Sequence, residues 1–339
     1  MKKINEIPKV ISYCIGKNEI YYSIDNNLFI YNLQDSEELL KVPFCIRSMG
    51  FFENDLILLD DYNKPVIVDI DKKTTNEFYF NNVRILDFVE DYLIFYRREP
   101  DTSGFIRNKK IEFESEQLRG RIRFVKDFVI SCFCQFIECY QISSTKLLWR
   151  FDLSAIGSFE SAGKMKPDEF DKYIAVFENE VWIATRGNKV VIINNYTGEL
   201  VKVFEWKGTP SEPIVLWSSQ FHYSSILKKI IGFHANYMLI DPLTKNIEKK
   251  IYTYTAFKEL ENLNFNKTLL QNKFISFKAT EKDQGFVKYI GIFNIEKEEI
   301  ISLEKISDKA FVPSMQFPLI LNNHLFILDS NQTLHIYKF

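Results

Sequence analysis

Histidine, cysteine and glycine are all scarce in this chain of 339 residues. The sequence has four histidines, five cysteines and twelve glycines. No histidine belongs to a HExxH motif or a Cys-His pair, and there is no GxSxG nucleophile elbow and no glycine-rich phosphate loop. We therefore expect no metal site, no cofactor and no assembled catalytic site, and we predict that the protein is not an enzyme.

A surplus of one charge and a long apolar run are also missing. Lys and Arg together number 43 against 45 Asp and Glu, and the two signs are interleaved, so no basic stripe indicates a nucleic-acid partner. No segment reaches the roughly 18 uncharged apolar residues that a bilayer span requires, and no apolar stretch of signal-peptide length opens the chain. We expect a cytoplasmic protein without a membrane span.

Three of the five cysteines are close in sequence, in CFCQFIEC. Cys132, Cys134 and Cys139 could supply three thiolates to zinc if a hairpin brought them together. A structural zinc site usually has four ligands, and no fourth Cys or His lies nearby in sequence. Free cysteine also behaves as a small core residue, and an odd number of cysteines in a long chain fits reduced thiols. We interpret all three as core residues.

Strand-forming residues are abundant, and they recur in a pattern. The chain has 31 Phe and 17 Tyr, which favour strands over helices. Eight times, a short apolar strand leads into a polar turn and then into a second strand, as in LFIYNLQDSEELLKV, PVIVDIDKKTTNEFYF and VVIINNYTGELVKVF. A supersecondary unit that recurs every few tens of residues is typical of a repeat architecture.

The segments before each of these pairs also read as strands, which gives four strands in about 40 residues, the pattern of a β-propeller blade. We predict that residues 1–339 form a single all-β domain, a closed propeller of eight four-stranded blades. Seven blades is the alternative, if residues 81–151 form one irregular blade. The last blade has only AFVPSM, LFILDS and TLHIYKF, so we predict that MKKINEI at the N-terminus supplies its fourth strand.

Two of the hairpins, ISSTKLLWRFDL and INNYTGELVKVF, share a detailed pattern. Thr197 and Gly198 form the turn, and Trp149 occupies the position of a docking tryptophan, which Lys202 and Lys249 take in later repeats. This pattern resembles the repeat of the quinoprotein-like (pyrroloquinoline-quinone-type) propellers. The resemblance implies propeller geometry, often with eight blades, and it does not carry the redox chemistry of that family to this chain.

The spacing between blades is uneven, and the extra residues fall in one type of connection. Residues 153–171, 206–220 and 254–266 each follow a fourth strand and precede the first strand of the next blade, so we expect them on one face. They combine aromatic side chains with mixed charges, which suits a protein-binding surface. In the alternative interpretation, these loops fold back and bury their aromatic side chains locally. The predicted partner-binding residues are Phe159, Met165, Trp206, Trp217 and Phe257.

These observations favour a non-catalytic scaffold that binds another protein, or another macromolecule, through one loop-bearing face. One hypothesis for the partner is a toxin, in which case the chain is an immunity protein. The alternative function is an enzyme or a binder of a small molecule, such as a glycan or a quinone, in the central channel. The sequence leaves the oligomeric state open.

Overall fold

The computed structural model describes residues 1–89, 92–118, 120–205, 220–282, 285–306, 309–313 and 316–339. Strands make up 61% of the structure and helices 4%, and the strands form eight four-stranded blades of a β-propeller. The predicted all-β class and the predicted number of blades are therefore confirmed. The first strand is β1 (Lys2–Ile7), and the remaining strands follow blade by blade.

The first four blades each contain four antiparallel strands that follow one another in sequence, from the inner strand to the outer strand. Blade 1 is β2 (Ser12–Ile15), β3 (Ile20–Ile24), β4 (Asn27–Tyr31) and β5 (Ser36–Lys41). Blade 2 is β6 (Ser48–Phe52), β7 (Asp55–Leu59), β8 (Pro65–Asp69) and β9 (Thr74–Glu77). Blade 3 is β10 (Val83–Val89), β11 (Tyr92–Arg97), β12 (Thr102–Arg107) and β13 (Lys110–Ser115). Blade 4 is β14 (Arg121–Val125), β15 (Phe128–Phe133), β16 (Phe136–Gln141) and β17 (Leu147–Asp152).

A small two-stranded sheet, β18 (Ser158–Ser161) and β19 (Lys164–Pro167), separates blade 4 from blade 5. Blade 5 is β20 (Phe170–Phe177), β21 (Glu180–Thr185), β22 (Lys189–Asn194) and β23 (Leu200–Glu205). Blade 6 is β24 (Phe221–Ser224), β25 (Lys229–Phe233), β26 (Asn236–Asp241) and β27 (Asn246–Tyr252). Blade 7 is β28 (Leu263–Gln271), β29 (Phe274–Glu281), β30 (Tyr289–Asn294) and β31 (Glu299–Lys305). Blade 8 contains β32 (Leu319–Leu321), β33 (His324–Leu328) and β34 (Leu334–Lys338).

The N-terminal strand completes blade 8, as the sequence predicted. β1 pairs antiparallel with β34, from Lys2 opposite Lys338 to Ile7 opposite Leu334, and the strand order in this sheet is β1-β34-β33-β32. Ile7 is buried in the cluster that joins blades 8 and 1. The ring is thus closed by hydrogen bonds between the two ends of the chain.

The seven-blade alternative is wrong, because residues 81–151 contribute to two separate four-stranded sheets. The prediction of AFVPSM as the first strand of the last blade is also wrong, since that strand is Leu319–Leu321. Asn322 and Asn323 both have positive φ, 46° and 59°, as in the two-residue hairpin turn that fixes strand register. This turn pairs Leu321 with His324.

The core lies between the blades. One cluster joins Ile137 of blade 4 to Val181 and Val191 of blade 5, all of them fully buried. Middle strands covered on both faces need apolar residues at successive positions, which accounts for runs such as VVII. Cys132 and Cys139 belong to this cluster, as predicted.

Cys134 differs from the other two cysteines of the same segment. It is exposed and lies in the turn between β15 and β16 with φ of 50°. The prediction that all three cysteines are core residues is therefore wrong for Cys134, because the tight turn directs this position away from the sheet.

Adjacent blades are also joined through their outer strands. Trp149 of β17 donates a hydrogen bond from Nε1 to the carbonyl oxygen of Asn195, at 2.9 Å, in the turn between β22 and β23. Gly198 in that turn has φ of 74°, and a Cβ atom there would lie 2.7 Å from the Trp149 ring. At the next two junctions, Lys202 donates to the carbonyl oxygen of Lys245, and Lys249 forms an ion pair with Glu298. The docking position of one repeat, occupied by Trp149, therefore contacts the turn of the next repeat, which contains Gly198.

Candidate protein-binding face

The connections between blades and the loops between second and third strands share one face, which we call the loop face. Hydrogen bonds join the two kinds of loop. Val42 N donates to Asn26 O at 2.9 Å, and Thr253 N donates to Ala235 O at 2.9 Å. The opposite face, which carries the turns between third and fourth strands, we call the turn face. The connections of residues 153–171 and 254–266 belong to this face, as expected, whereas residues 206–219 of the third connection lie outside the described residues.

The connection of residues 153–171, predicted as a loop, contains a hairpin, which we call the arm. The arm consists of β18 and β19, and their sheet has no further strand among the described residues. Ala162 and Gly163 form its turn, with φ of 51° and 74°. An isolated two-stranded hairpin is only marginally stable in water, so the arm depends on what holds its base.

A buried ion pair anchors that base. Asp168 is fully buried, and its carboxylate accepts hydrogen bonds from Gly187 N at 2.8 Å, Thr185 Oγ1 at 3.0 Å and Lys189 Nζ at 3.2 Å. Lys189 Nζ also donates to Ile156 O at 3.1 Å, at the start of the arm. Because a buried carboxylate with several donors holds a fixed position, these hydrogen bonds fix the base of the arm to blade 5.

The register of the arm separates two of the predicted partner-binding residues. Glu160 pairs with Met165, and Phe159 pairs with Lys166. Since directly opposed residues share a face and neighbours alternate, Met165 and Phe159 lie on opposite faces. Met165 is 66% exposed, whereas Phe159 is half-buried. Met165 is thus available to a partner, and Phe159 is partly covered.

Of the remaining three predicted residues, only Phe257 lies in the part of the chain that the structure describes. Phe257 follows the helical turn α1 (Thr253–Ala256) and precedes the 3-10 turn Lys258–Leu260. Its ring meets that of Phe293 edge-on at 5.5 Å and packs against a core cluster. Trp206 and Trp217 lie outside the described residues. The connection is shorter than the predicted 254–266, because β28 begins at Leu263.

The structure also contains a cleft on the loop face that the sequence did not indicate. It has a volume of about 680 Å³ and lies between blades 2 and 3. Three cations and two anions contribute to its wall, together with Phe78 and Phe80. The charged residues are Lys64, Arg84, Arg98, Glu77 and Glu99. The only local signal for it is the aromatic run before Asn81 and Asn82, where the chain passes from blade 2 to blade 3.

A chain of polar contacts follows the inner strands of blades 5, 6 and 7. Lys172 Nζ donates to Phe221 O at 2.8 Å and lies 3.4 Å from His222 Nδ1. His222 Nε2 lies 2.8 Å from Thr268 Oγ1. Burial and the nearby Lys172 charge keep the pKa of His222 well below its usual value. The imidazole is therefore neutral at pH 7, so that Nδ1 accepts from Lys172 while Nε2 donates to Thr268.

Among the described residues, no group of three or more His, Cys, Asp or Glu side chains could hold a metal ion. No helix in the described ranges is long and apolar enough to cross a membrane.

No protein-family model matches the chain, and no curated protein matches its sequence. Several solved structures share its fold. Saccharomyces cerevisiae Sqt1 has a TM-score of 0.64 at 10% identity, covering 100% of this chain and 99% of Sqt1. The computationally designed Ika8 protein has a TM-score of 0.58 at 9% identity, covering 98% and 96% of the two chains. BamB from Moraxella catarrhalis has a TM-score of 0.55 at 11% identity, covering 99% and 97%. These likenesses show the fold alone: the chain is an eight-bladed β-propeller.

Proposed function

We propose that this propeller is a non-catalytic scaffold that binds another protein through its loop face. The fold is consistent with a scaffold or protein-binding role. The observation that carries the proposal is the arm, a hairpin outside every blade sheet among the described residues with its base fixed by the buried pair of Asp168 and Lys189. An ordered segment of this kind offers a partner a pre-organised surface, which reduces the entropic cost of binding.

The arm offers two kinds of contact. Its solvent-facing side presents Met165, a flexible apolar side chain that adapts to varied surfaces, beside the exposed Glu160. Its strand edges offer backbone N–H and C=O groups to which a partner strand can pair. Exposed Lys164 and Lys166 border the other side. We expect a partner with an apolar pocket for Met165, a basic residue near Glu160, and acidic residues opposite Lys164 and Lys166.

A pair of matched substitutions tests the proposal. Met165 and Leu243 are similarly exposed, at 66% and 61%, but Leu243 lies on the turn face. With a partner captured from the native cell, Met165→Asp should weaken binding by about thirtyfold or more, which corresponds to the roughly 2 kcal/mol of an interface anchor. Leu243→Asp should leave affinity unchanged, and both variants should keep the wild-type melting temperature. Loss of binding in Leu243→Asp alone would place the partner on the turn face.

The finer form of the proposal is that the partner is a toxin and that the chain acts as an immunity protein in the cytoplasm. All five cysteines are free thiols, as expected in a reducing compartment. The captured partner, expressed alone, should arrest growth, and co-expression of the propeller should restore it, less well with Met165→Asp. A harmless partner would remove the immunity role and leave the scaffold role in place.

We also propose that the repeats are of the quinoprotein-like type without its redox chemistry. The contact of Trp149 with the turn at Gly198 supports this relation. The purified protein should then show no visible absorption band and no stoichiometric metal. A bound chromophore or Ca²⁺ would instead favour an enzyme that uses the channel.

A further inference from the structure

Three cations from two blades lie close together on the wall of the central channel. Arg121 and Arg123 belong to the inner strand of blade 4, and Lys172 belongs to the inner strand of blade 5. Arg121 Nη1 donates to Asp171 O at 3.0 Å, and the Arg123 guanidinium lies 5.4 Å from the ring centre of Tyr173. The two arginines thus contact the residues on either side of Lys172.

Two acidic residues, Asp87 and Asp171, interact with this cluster. Within the described ranges, neither arginine has a carboxylate oxygen at ion-pair distance. Asp87 of blade 3 interacts with both arginines, yet burial raises the pKa of its carboxyl group, against the opposite influence of the two arginines. Burial lowers the pKa of Lys172 to about 7; Asp171 opposes this change, and Arg121 and Arg123 add to it. The two arginines therefore have no directly paired carboxylate in the described part of the chain, and their charges favour the neutral form of Lys172.

Arg123 has most of its hydrogen-bonding capacity left over. A guanidinium carries five N–H donors in a planar fork, and the described structure shows one hydrogen bond from Arg123, to Ile122 O at 2.8 Å. The side chain is half-buried, so water satisfies the rest only in part. Phosphate and carboxylate groups match this fork in a bidentate manner.

We propose that the channel between blades 4 and 5 is a binding site for a small oxyanion, held by Arg123 and Arg121. The anion is a phosphate or the carboxylate group of a small metabolite, which share the chemistry that a guanidinium recognises. Lys172 is not a direct ligand of the anion in this proposal, because its Nζ already donates to Phe221 O of blade 6. Its positive form adds to the attraction for the anion. Binding places an opposite charge beside the two arginines and stabilises the folded protein, because the ligand binds the native state alone.

The test measures thermal stability and calorimetric binding with sodium phosphate and with citrate, at an ionic strength held constant with NaCl. We expect saturable binding and a concentration-dependent rise in melting temperature. Arg123→Gln should weaken binding at least tenfold, and Arg121→Gln should weaken it less, because Arg121 is more exposed. Arg47→Gln is the matched control, since Arg47 is an exposed arginine outside the channel; it should bind like the wild type.

The two probes distinguish the sources of the anion. Binding of phosphate alone indicates a phosphate site, and binding of citrate alone indicates a carboxylate site. The proposal is overturned if neither probe binds, if NaCl alone stabilises the protein equally, or if Arg123→Gln keeps the wild-type affinity. If Arg123→Gln does not fold, Arg123→Lys keeps the charge but loses the fork, and unchanged affinity there would also overturn it. Met165→Asp should not affect this binding, so the channel site and the loop-face function fail independently.

Discussion

Two kinds of junction between neighbouring blades occupy the same position in this ring. At the junction of blades 4 and 5, Trp149 packs on the next turn and is only 8% exposed. At the junctions of blades 5 and 6 and of blades 6 and 7, Lys202 and Lys249 reach the next turn with an ammonium group. The backbone geometry is similar although the chemistry differs. The position requires a side chain long enough to meet the next turn, so the tryptophan of a repeat can be lost while the fold persists.

The largest expected effect comes from the junction inside blade 8, where the ends of the chain meet. Deletion of residues 1–7 removes β1, exposes the edge of β34 and uncovers the cluster that contains Ile7. We expect a loss of about 5 kcal/mol or more in the free energy of unfolding, together with self-association through the open edge. Thermal denaturation and light scattering measure the two effects. A monodisperse deletion variant with the wild-type melting temperature would contradict the closing role of β1.

The next largest effect is expected at the apolar junction. Trp149→Ala should lower the free energy of unfolding by about 3–5 kcal/mol, because it leaves a cavity between two blades. Trp149→Phe keeps most of the packing and loses the hydrogen bond to Asn195 O, so it should cost less. Chemical denaturation of both variants measures the difference. Equal losses would mean that the hydrogen bond, and not the packing, holds this junction.

The same junction can be probed from its other side. Gly198→Ala places a methyl group against the Trp149 ring and strains a backbone with φ of 74°, so we expect a loss of about 2 kcal/mol. In the Trp149→Ala background, the methyl group no longer meets the ring, so the same substitution should cost only the backbone strain of roughly 1 kcal/mol. A double-mutant cycle measures this coupling. Strictly additive losses would show that the ring does not rest on the turn.

The smallest effect is expected at a lysine junction. The side chains of Lys249 and Glu298 are 37% and 29% exposed, and such pairs contribute about 1 kcal/mol or less. Lys249→Met keeps the apolar stem and removes the charge, so its unfolding free energy should stay within about 1 kcal/mol of wild type. Added salt should reduce the difference further. A loss of unfolding free energy as large as that of Trp149→Ala would show that the lysine junction stabilises the fold as much as the tryptophan junction does.

Most of the fold could be predicted from the sequence, because short repeated patterns of apolar residues and turn residues mark the strands and the turns. The pairing of MKKINEI with TLHIYKF followed from the missing fourth strand of the last blade. The inner strand of that blade was misplaced, since AFVPSM and the short Leu319–Leu321 look alike to a pattern of apolar residues, and only the Asn322 and Asn323 turn decides between them.

The candidate sites were less predictable. The polar segment KMKP has no strand alternation, so β19 could not be recognised, and the pairing of Asp168 with Lys189 joins residues that are distant in sequence. Met165 was chosen from the sequence because it lies in a long connection, and its role in binding stays a prediction. The cluster of Arg121, Arg123 and Lys172 exists only once blades 4 and 5 stand side by side, which no local pattern indicates.

The pairing of β1 with β34 also has a consequence for biosynthesis. The ribosome makes β1 before β34, and this partner strand follows only after more than 300 further residues. At the usual 5–20 residues per second, β1 waits on the order of tens of seconds without its neighbour. During that time, completed blades can assemble one after another while the ring stays open, with a strand edge exposed to other nascent chains. Closure is therefore a late, long-range event, and crowded polysomes and chaperone supply should influence the yield of folded protein more than the stability of any single blade.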